Sequence, residues 1–118
     1  MSKLAELIAQ EEGFNVPGSV PNRDNNPGNL RHSSHSFHNP GDPNGIGIIP
    51  TSAEGWEDLE NQLQLFAARG LTLEQMIYIF APPSENNSAA YLAFVANGLG
   101  CLPGTLVSDC LKIPGALS

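Results

Sequence analysis

The stretch from Glu11 to Arg31 holds residues whose types and spacing suit acid catalysis on a sugar polymer. It places a carboxylate at the end of a short helix, followed by a polar loop of sequence Asn25-Asn26-Pro27-Gly28-Asn29. Breaking a glycosidic bond requires a carboxylic acid in a semi-apolar setting beside a groove of hydrogen-bonding amides. Both kinds of group are present within this stretch.

Two adjacent glutamates compete for the role of that acid. Glu11 extends the apolar stripe of the first helix and Glu12 lies one turn beyond Ile8, so periodicity does not choose between them. Gly13 would let the chain turn sharply and admit a ligand close to the backbone. Phe14 would lower the local polarity and raise the pKa of the acid toward the range that protonates a leaving group. The alternative is that Glu12 is an ordinary solvated residue at a helix end.

The amides of Asn25, Asn26 and Asn29 have two interpretations. Asn, Pro and Gly are the common turn formers, so this loop could be only a turn. Several amides close together also suit N-acetyl sugars, because an acetamido group needs both a donor and an acceptor. The residue types alone leave both interpretations open.

Three histidines, His32, His35 and His38, recur at a spacing of three. Three imidazoles can form a zinc site. However, no helix or strand is evident to fix them, and no acidic ligand is obvious nearby. We therefore predict a solvated loop without a metal, with a zinc site as the alternative. Phe37, in the same segment, could instead stack on a sugar ring.

Candidates for a second carboxylate are Glu85 and Asp24. Glu85 lies in the proline-containing segment 81–88, which predicts a rigid turn between two helices. On that interpretation Glu85 is an exposed acid, and a catalytic role is the functional alternative. Tyr91, one turn into the following helix, either joins the core or turns its hydroxyl into a groove.

Five helices are predicted to position these residues. Apolar periodicity and capping patterns place them at about residues 2–12, 51–69, 72–80, 88–97 and 105–112. No helix is predicted between residues 14 and 50, where six prolines and many glycines and asparagines indicate a long loop. Residues 45–49 form a plausible strand that could pair with residues 29–31 as a small hairpin. The predicted fold class is mainly α (α+β).

Length and charge limit the domain organisation and the partners. A chain of 118 residues fits one domain with a modest core. The net charge is −7 with only five Lys and Arg, which argues against nucleic acid because phosphate binding needs a basic face. The same balance argues against attachment to an anionic membrane. The sequence contains no Gly-rich phosphate loop, Gly-x-Ser-x-Gly elbow or Cys-x-x-Cys motif. A neutral or amphoteric polymer suits this chain better.

Cys101 and Cys110 are the only cysteines in the sequence. They lie nine positions apart around Pro103-Gly104, so a small loop closed by a disulfide is feasible. Two reduced, buried cysteines are the alternative. A disulfide would favour an oxidising site of action.

The N-terminus lacks the pattern of a secretion signal, because acidic residues interrupt its apolar residues early. The longest apolar runs are too short to span a bilayer. We therefore expect a chain without membrane insertion that is cytosolic, exported by another route, delivered by a larger assembly or expressed without its leader.

Four patterns follow one another along the chain. They are Glu12-Gly13-Phe14; Arg23-x-Asn25-Asn26-Pro27-Gly28-Asn29-Leu30-Arg31; Gly47-Ile48-Ile49-Pro50 before Thr51-x-x-Glu54-Gly55-Trp56; and Ala81-Pro82-Pro83-x-Glu85-Asn86-Asn87-x-x-x-Tyr91. Their combination resembles lysozyme-like domains of phage virion and tail proteins and of bacterial peptidoglycan hydrolases. Their order is also similar to that of autolysin and flagellar glucosaminidases. The resemblance covers roughly residues 5 to 97 and does not extend to the cysteine-containing tail.

The resemblance implies a single lysozyme-like domain over residues 1–118, with 98–118 as a C-terminal extension that a disulfide could close. It implies that Glu12 is the catalytic acid, since the family glutamate directly precedes a small residue. The Asn25-to-Asn29 loop would line the glycan groove, and Tyr91 would lie near Glu12.

We therefore expect a monomer that cleaves the β-1,4 glycan of peptidoglycan without a cofactor, in the periplasm, at the cell wall, or secreted or virion-associated. The lack of a confident second acid favours a lytic transglycosylase, which the resemblance also implies. One alternative is a muramidase or glucosaminidase assisted by Glu85 or Asp24. Others are a non-catalytic glycan-binding or virion structural module, and a metal-dependent enzyme that uses the three histidines.

Overall fold

Helices dominate the computed structural model, which describes residues 1–38, 41 and 45–116. Six are present in this part of the chain: α1 (Lys3–Glu12), α2 (Val20–Arg23), α3 (Ser52–Ala68), α4 (Leu73–Phe80), α5 (Ser88–Leu99) and α6 (Val107–Cys110). Within these ranges, pairing between extended residues is limited to isolated bridges. The mainly helical prediction is therefore confirmed at this level. None of the helices in the described ranges combines the length and apolar character needed to cross a bilayer.

The chain divides into two compact units. Unit 1 comprises residues 1–7 and 63–118, and unit 2 comprises residues 8–62. Both boundaries fall within helices, one in α1 and the other in α3.

Unit 1 contains α4, α5 and α6, and capping residues define ends of the first two. Thr72 and Gln75 form a reciprocal capping box at the start of α4, with bonds of 3.2 and 2.9 Å. The Asn87 side chain accepts the Ala90 N–H at the start of α5, and Gly100 ends that helix in the left-handed conformation at φ 71°. These local signals explain why the helices predicted near 72–80 and 88–97 are present.

The C-terminal segment is an integral part of unit 1. The backbone N–H groups of Leu73 and Val107 donate to Thr105 and Leu71 at 2.8 and 2.9 Å, which ties the segment to the start of α4. Val107 and Cys110 on α6 are fully buried. The core of this unit therefore uses side chains from the region that the sequence suggested was an extension.

Unit 2 contains a short helix, α2, in the stretch where the sequence predicted none. Ser19 caps it by accepting the Asn22 N–H, and Pro21 lies in its first turn. A proline is tolerated there because the first N–H groups of a helix have no partner within the helix. The prediction of a loop without a helix from residue 14 to residue 50 was therefore wrong at this point.

The predicted hairpin of residues 45–49 with 29–31 is not confirmed. Phe37 and Ile48 instead form an isolated antiparallel bridge, with backbone bonds of 2.9 and 3.0 Å. Gly47 donates its N–H to the Leu30 carbonyl at 2.9 Å, but this bond does not form part of a strand ladder. The prolines and glycines of this region favour turns over a continuous ladder.

The first half of α3 is the scaffold on which the loop of unit 2 packs. A Cβ atom at Gly55 would overlap the carbonyl oxygen of Asn25, so the loop backbone lies directly against the helix there. One turn later, Leu59 contacts Gly28 so closely that a Cβ atom on that glycine would lie 2.8 Å from Leu59 Cδ1. Small residues at both points allow the loop and the helix to approach each other.

Candidate functional site

Glu12 is the last residue of α1 and is partly buried. Gly13 follows with φ +85°, and the Phe14 N–H donates to the Ala9 carbonyl at 2.9 Å, which ends the helix. A Cβ atom on Gly13 would meet no other atom within 4 Å. The backbone next to Glu12 therefore borders open space, as the predicted approach of a ligand requires.

The chain after Glu12 is held in place by aromatic packing and hydrogen bonds within unit 2. Phe14 packs edge-to-face on Trp56 of α3, with ring centroids 5.3 Å apart. The Asn22 amide donates to the Phe14 carbonyl at 3.0 Å, and the Ser19 hydroxyl donates to the Gly13 carbonyl at 2.7 Å. The backbone that directly follows Glu12 is thus held by Ser19, α2 and α3.

Asn26 is fully buried and bonds to the backbone of its own loop. Its Nδ2 donates to the carbonyls of Leu30 and Gly47 at 2.7 and 2.9 Å. Its Oδ1 accepts the Leu30 N–H at 2.9 Å. Every polar atom of this side chain has a partner, so the amide stabilises the loop.

Asn25 and Asn29 both adopt left-handed backbone conformations, at φ 53° and 51°. The Asn25 amide donates to the Ile49 and Pro50 carbonyls at 3.0 and 3.3 Å, and its Oδ1 accepts the Ser52 hydroxyl. Asn29 differs, because its Oδ1 is buried and has no hydrogen-bond partner. Of the three predicted amides, Asn29 is therefore the one with an unsatisfied acceptor.

The candidate second carboxylates lie in different units. Asp24 is 8% exposed at the end of α2 in unit 2, where its backbone carbonyl accepts the Ile49 N–H at 2.8 Å. Glu85 is exposed in the turn between α4 and α5 of unit 1, and Tyr91 is buried in α5. The proximity of Tyr91 to Glu12 stays a prediction.

The histidine segment shows an arrangement that the sequence reasoning missed. His35 lies with Nδ1 2.6 Å from Oδ1 of Asp58, a buried carboxylate on α3. His35 Nε2 also lies 3.7 Å from Glu54 Oε2, one turn earlier on the same helix. His32 and His38 are exposed. No group of three or more His, Cys, Asp or Glu in the described part of the chain could hold a metal ion, so the zinc alternative gains no support.

The contact between His35 and Asp58 shifts the pKa values of both side chains. The hydrogen bond to Asp58 is the main cause that raises the pKa of His35. Desolvation lowers this pKa, and the negative charges of Asp58, Glu54 and Glu57 raise it further. Burial raises the pKa of Asp58, but hydrogen bonds from Ser33 and His35 outweigh it and lower that pKa overall. At neutral pH the buried acid is therefore ionised and hydrogen-bonded.

Phe37 and the two cysteines complete the predicted set. Phe37 is 54% exposed, and its aromatic ring is available on the surface of unit 2.

Cys101 and Cys110 are free thiols, so the predicted disulfide is not formed in this structure. Burial and the neighbouring Cys101 thiol raise the pKa of Cys110 to about 11, which describes a protonated, unreactive thiol.

Comparison of the chain with protein-family models, with curated proteins and with solved structures gave no match. The resemblance to lysozyme-like domains therefore rests on the residue patterns described above.

Proposed function

We propose that this protein is a lysozyme-like domain that cleaves the β-1,4 glycan of peptidoglycan, with Glu12 as the catalytic acid. The observation that carries the proposal is the setting of Glu12. It is a partly buried carboxylate at the end of α1, and the next residue, Gly13, borders open space. The edge-to-face pair of Phe14 and Trp56 supplies apolar surface two residues further along the chain.

In the proposed reaction, Glu12 gives its proton to the glycosidic oxygen as the bond from C1 to that oxygen breaks. The departing sugar leaves as an alcohol. The carboxylate of Glu12 then removes the proton from the 6-hydroxyl of the remaining sugar, and that oxygen bonds to C1. The product is an anhydro sugar, Glu12 is again protonated, and no water is consumed.

The position of Asp24 favours this route over hydrolysis. Hydrolysis with inversion needs a second carboxylate that activates water across the sugar ring, about 6.5–9.5 Å from the acid. Asp24 is 8% exposed and has little surface available to a water molecule or a sugar. A muramidase or glucosaminidase assisted by Asp24 is therefore the weaker form of the proposal, and one assisted by the exposed Glu85 stays an alternative.

Recognition of the glycan would use Phe37 and Asn29 more than Asn25 and Asn26. Phe37 offers an exposed ring on which a sugar can stack. The Asn29 Oδ1 is buried without a donor, and an acetamido N–H could supply one only where the loop moves to expose that atom. The amides of Asn25 and Asn26 already bond within the protein. Their role in the proposal is to shape the loop.

Glycan binding without catalysis is a second candidate function. It is favoured by the exposed Phe37 ring, because stacking on an aromatic surface needs no carboxylate. In that case the domain would act as a recognition or virion structural module. Digestion of purified peptidoglycan separates the two candidates, because only catalysis releases new products.

The test is mass spectrometry of purified peptidoglycan after digestion with wild type, Glu12→Gln and Glu11→Gln. Glu11 is the matched control, because it is the adjacent glutamate on the same helix and is exposed. We expect anhydro-muropeptides from wild type and Glu11→Gln, and none from Glu12→Gln. Reducing-end products would identify a hydrolase. Retention of intact glycan without any products would identify a binding module, and full activity of Glu12→Gln would exclude Glu12 as the acid.

A further inference from the structure

Asp58 is a buried carboxylate whose partners come from one short segment. Its side chain has no exposed surface, and it accepts hydrogen bonds from the Ser33 hydroxyl at 2.6 Å and from the His35 N–H at 2.9 Å. The His35 ring adds a contact of 2.6 Å. Burying an ionised carboxylate is costly unless it is paired and hydrogen-bonded. Docking of the segment therefore compensates for the burial of Asp58.

Three negative charges act on His35. Asp58 lies on its Nδ1 side, Glu54 lies 3.7 Å from Nε2, and Glu57 acts at longer range from the same helix. Glu54 is itself oriented by the Thr51 hydroxyl, which donates to it at 2.8 Å. Imidazole is the side chain whose charge changes near neutral pH, so protonation of His35 decides whether a positive charge faces these acidic residues.

We propose that Ser33, His35, Glu54 and Asp58 form a pH-sensitive latch that fastens segment 33–38 to α3 while His35 is protonated. Loss of the proton leaves three carboxylates of α3 without the imidazolium charge. A neutral imidazole can still donate one hydrogen bond from Nδ1 to Asp58, so the latch loosens and does not vanish. The segment ends near Phe37, which bridges to Ile48, so loosening would increase the mobility of the exposed ring.

The direction of the pH dependence follows from the two shifts. The pKa of His35 is raised above 6.5, so its contribution to docking is complete below 6.5 and is lost as the pH rises through the raised value. The pKa of Asp58 is lowered below 3.8, so its contribution is present above 3.8 and is lost as the pH falls through the lowered value. The latch is thus closed in mildly acidic solution and loosens as the pH rises through the raised pKa of His35.

The His35 backbone N–H donates to Asp58, so its hydrogen exchange reports on the latch. The test measures this exchange at about pH 5.5 and at about pH 9 and corrects the rates for intrinsic exchange. Wild type should lose protection by about tenfold for each unit by which the His35 pKa is raised. His35→Gln should show weak protection that does not change with pH. The control His32→Gln removes an exposed histidine of the same region and should keep the wild-type profile.

A second measurement keeps the proposal testable if His35→Gln does not fold. Titration of the His35 ring by NMR in the wild-type protein should give a pKa above 6.5. Equal protection at both pH values, a pH profile in His35→Gln that matches wild type, or a ring pKa at or below 6.5 would each overturn the latch. None of these readouts depends on glycan cleavage, so they stand apart from the proposed function.

Discussion

Replacing Asn26 with alanine tests whether this amide is a structural element of the loop. The substitution removes the three hydrogen bonds that join Asn26 to Leu30 and Gly47. The Leu30 carbonyl still accepts a hydrogen bond from the Gly47 N–H at 2.9 Å, so the two groups left without partners are the Leu30 N–H and the Gly47 carbonyl. Each buried polar group without a partner costs about 1–3 kcal/mol, so we expect the free energy of unfolding to fall by about 4 kcal/mol. That is a large share of the roughly 5–15 kcal/mol that stabilises a typical domain.

Urea denaturation of wild type, Asn26→Ala and Asn15→Ala provides the measurement. With an m-value of about 2 kcal/mol/M, a loss of about 4 kcal/mol moves the midpoint down by about 2 M. Asn15→Ala is the control, because Asn15 is an exposed residue of the same unit and should shift the midpoint little. If the free energy of unfolding of Asn26→Ala is within about 0.5 kcal/mol of the wild-type value, the buried hydrogen bonds do not stabilise the loop and the prediction is wrong.

Three further predictions follow from single positions. Gly55→Ala should lower the stability measured by urea denaturation by about 2 kcal/mol or more, because the added Cβ would overlap the Asn25 carbonyl oxygen despite the better helix propensity of alanine. The control Asn61→Ala, at an exposed position of α3, should be neutral or slightly stabilising. Asn29→Gly should keep or raise the thermal midpoint, because it relieves a positive φ and removes an orphaned acceptor; a lower midpoint would contradict this. Cys110 should react with iodoacetamide at pH 8 far more slowly in the folded than in the unfolded protein, and equal rates would contradict its burial.

The helices of this protein were predictable where their signals are local. The capping box of Thr72 and Gln75 and the Thr51–Glu54 pair lie within single turns, and both form hydrogen bonds in the structure. Helix α2 was missed because it has only four residues and its proline and asparagine are equally typical of turns. Ser19 followed by a proline is a local signal of a helix start, but docking of the surrounding loop, on which the helix also depends, has no local pattern.

The candidate site was predictable only in part. Glu12 lies at a helix end beside open space, and its location follows from the glycine that ends the helix. The pairing of His35 with Asp58 was missed, because the two residues are 23 positions apart and neither belongs to a motif. The scarcity of basic residues was the available signal. With five Lys and Arg against twelve acids, a buried acid on a helix has few cationic partners besides histidine.

The two interpretations of the asparagine loop lead to different experiments on its residues. Asn25 and Asn26 bond to backbone groups of the loop and its neighbours, so the turn interpretation explains their positions. If the loop also binds a glycan, it does so through the shape that these bonds maintain and through groups such as the Asn29 Oδ1. Activity lost in an Asn26 variant would therefore report on folding, and it bears on glycan binding only when it is measured per folded molecule.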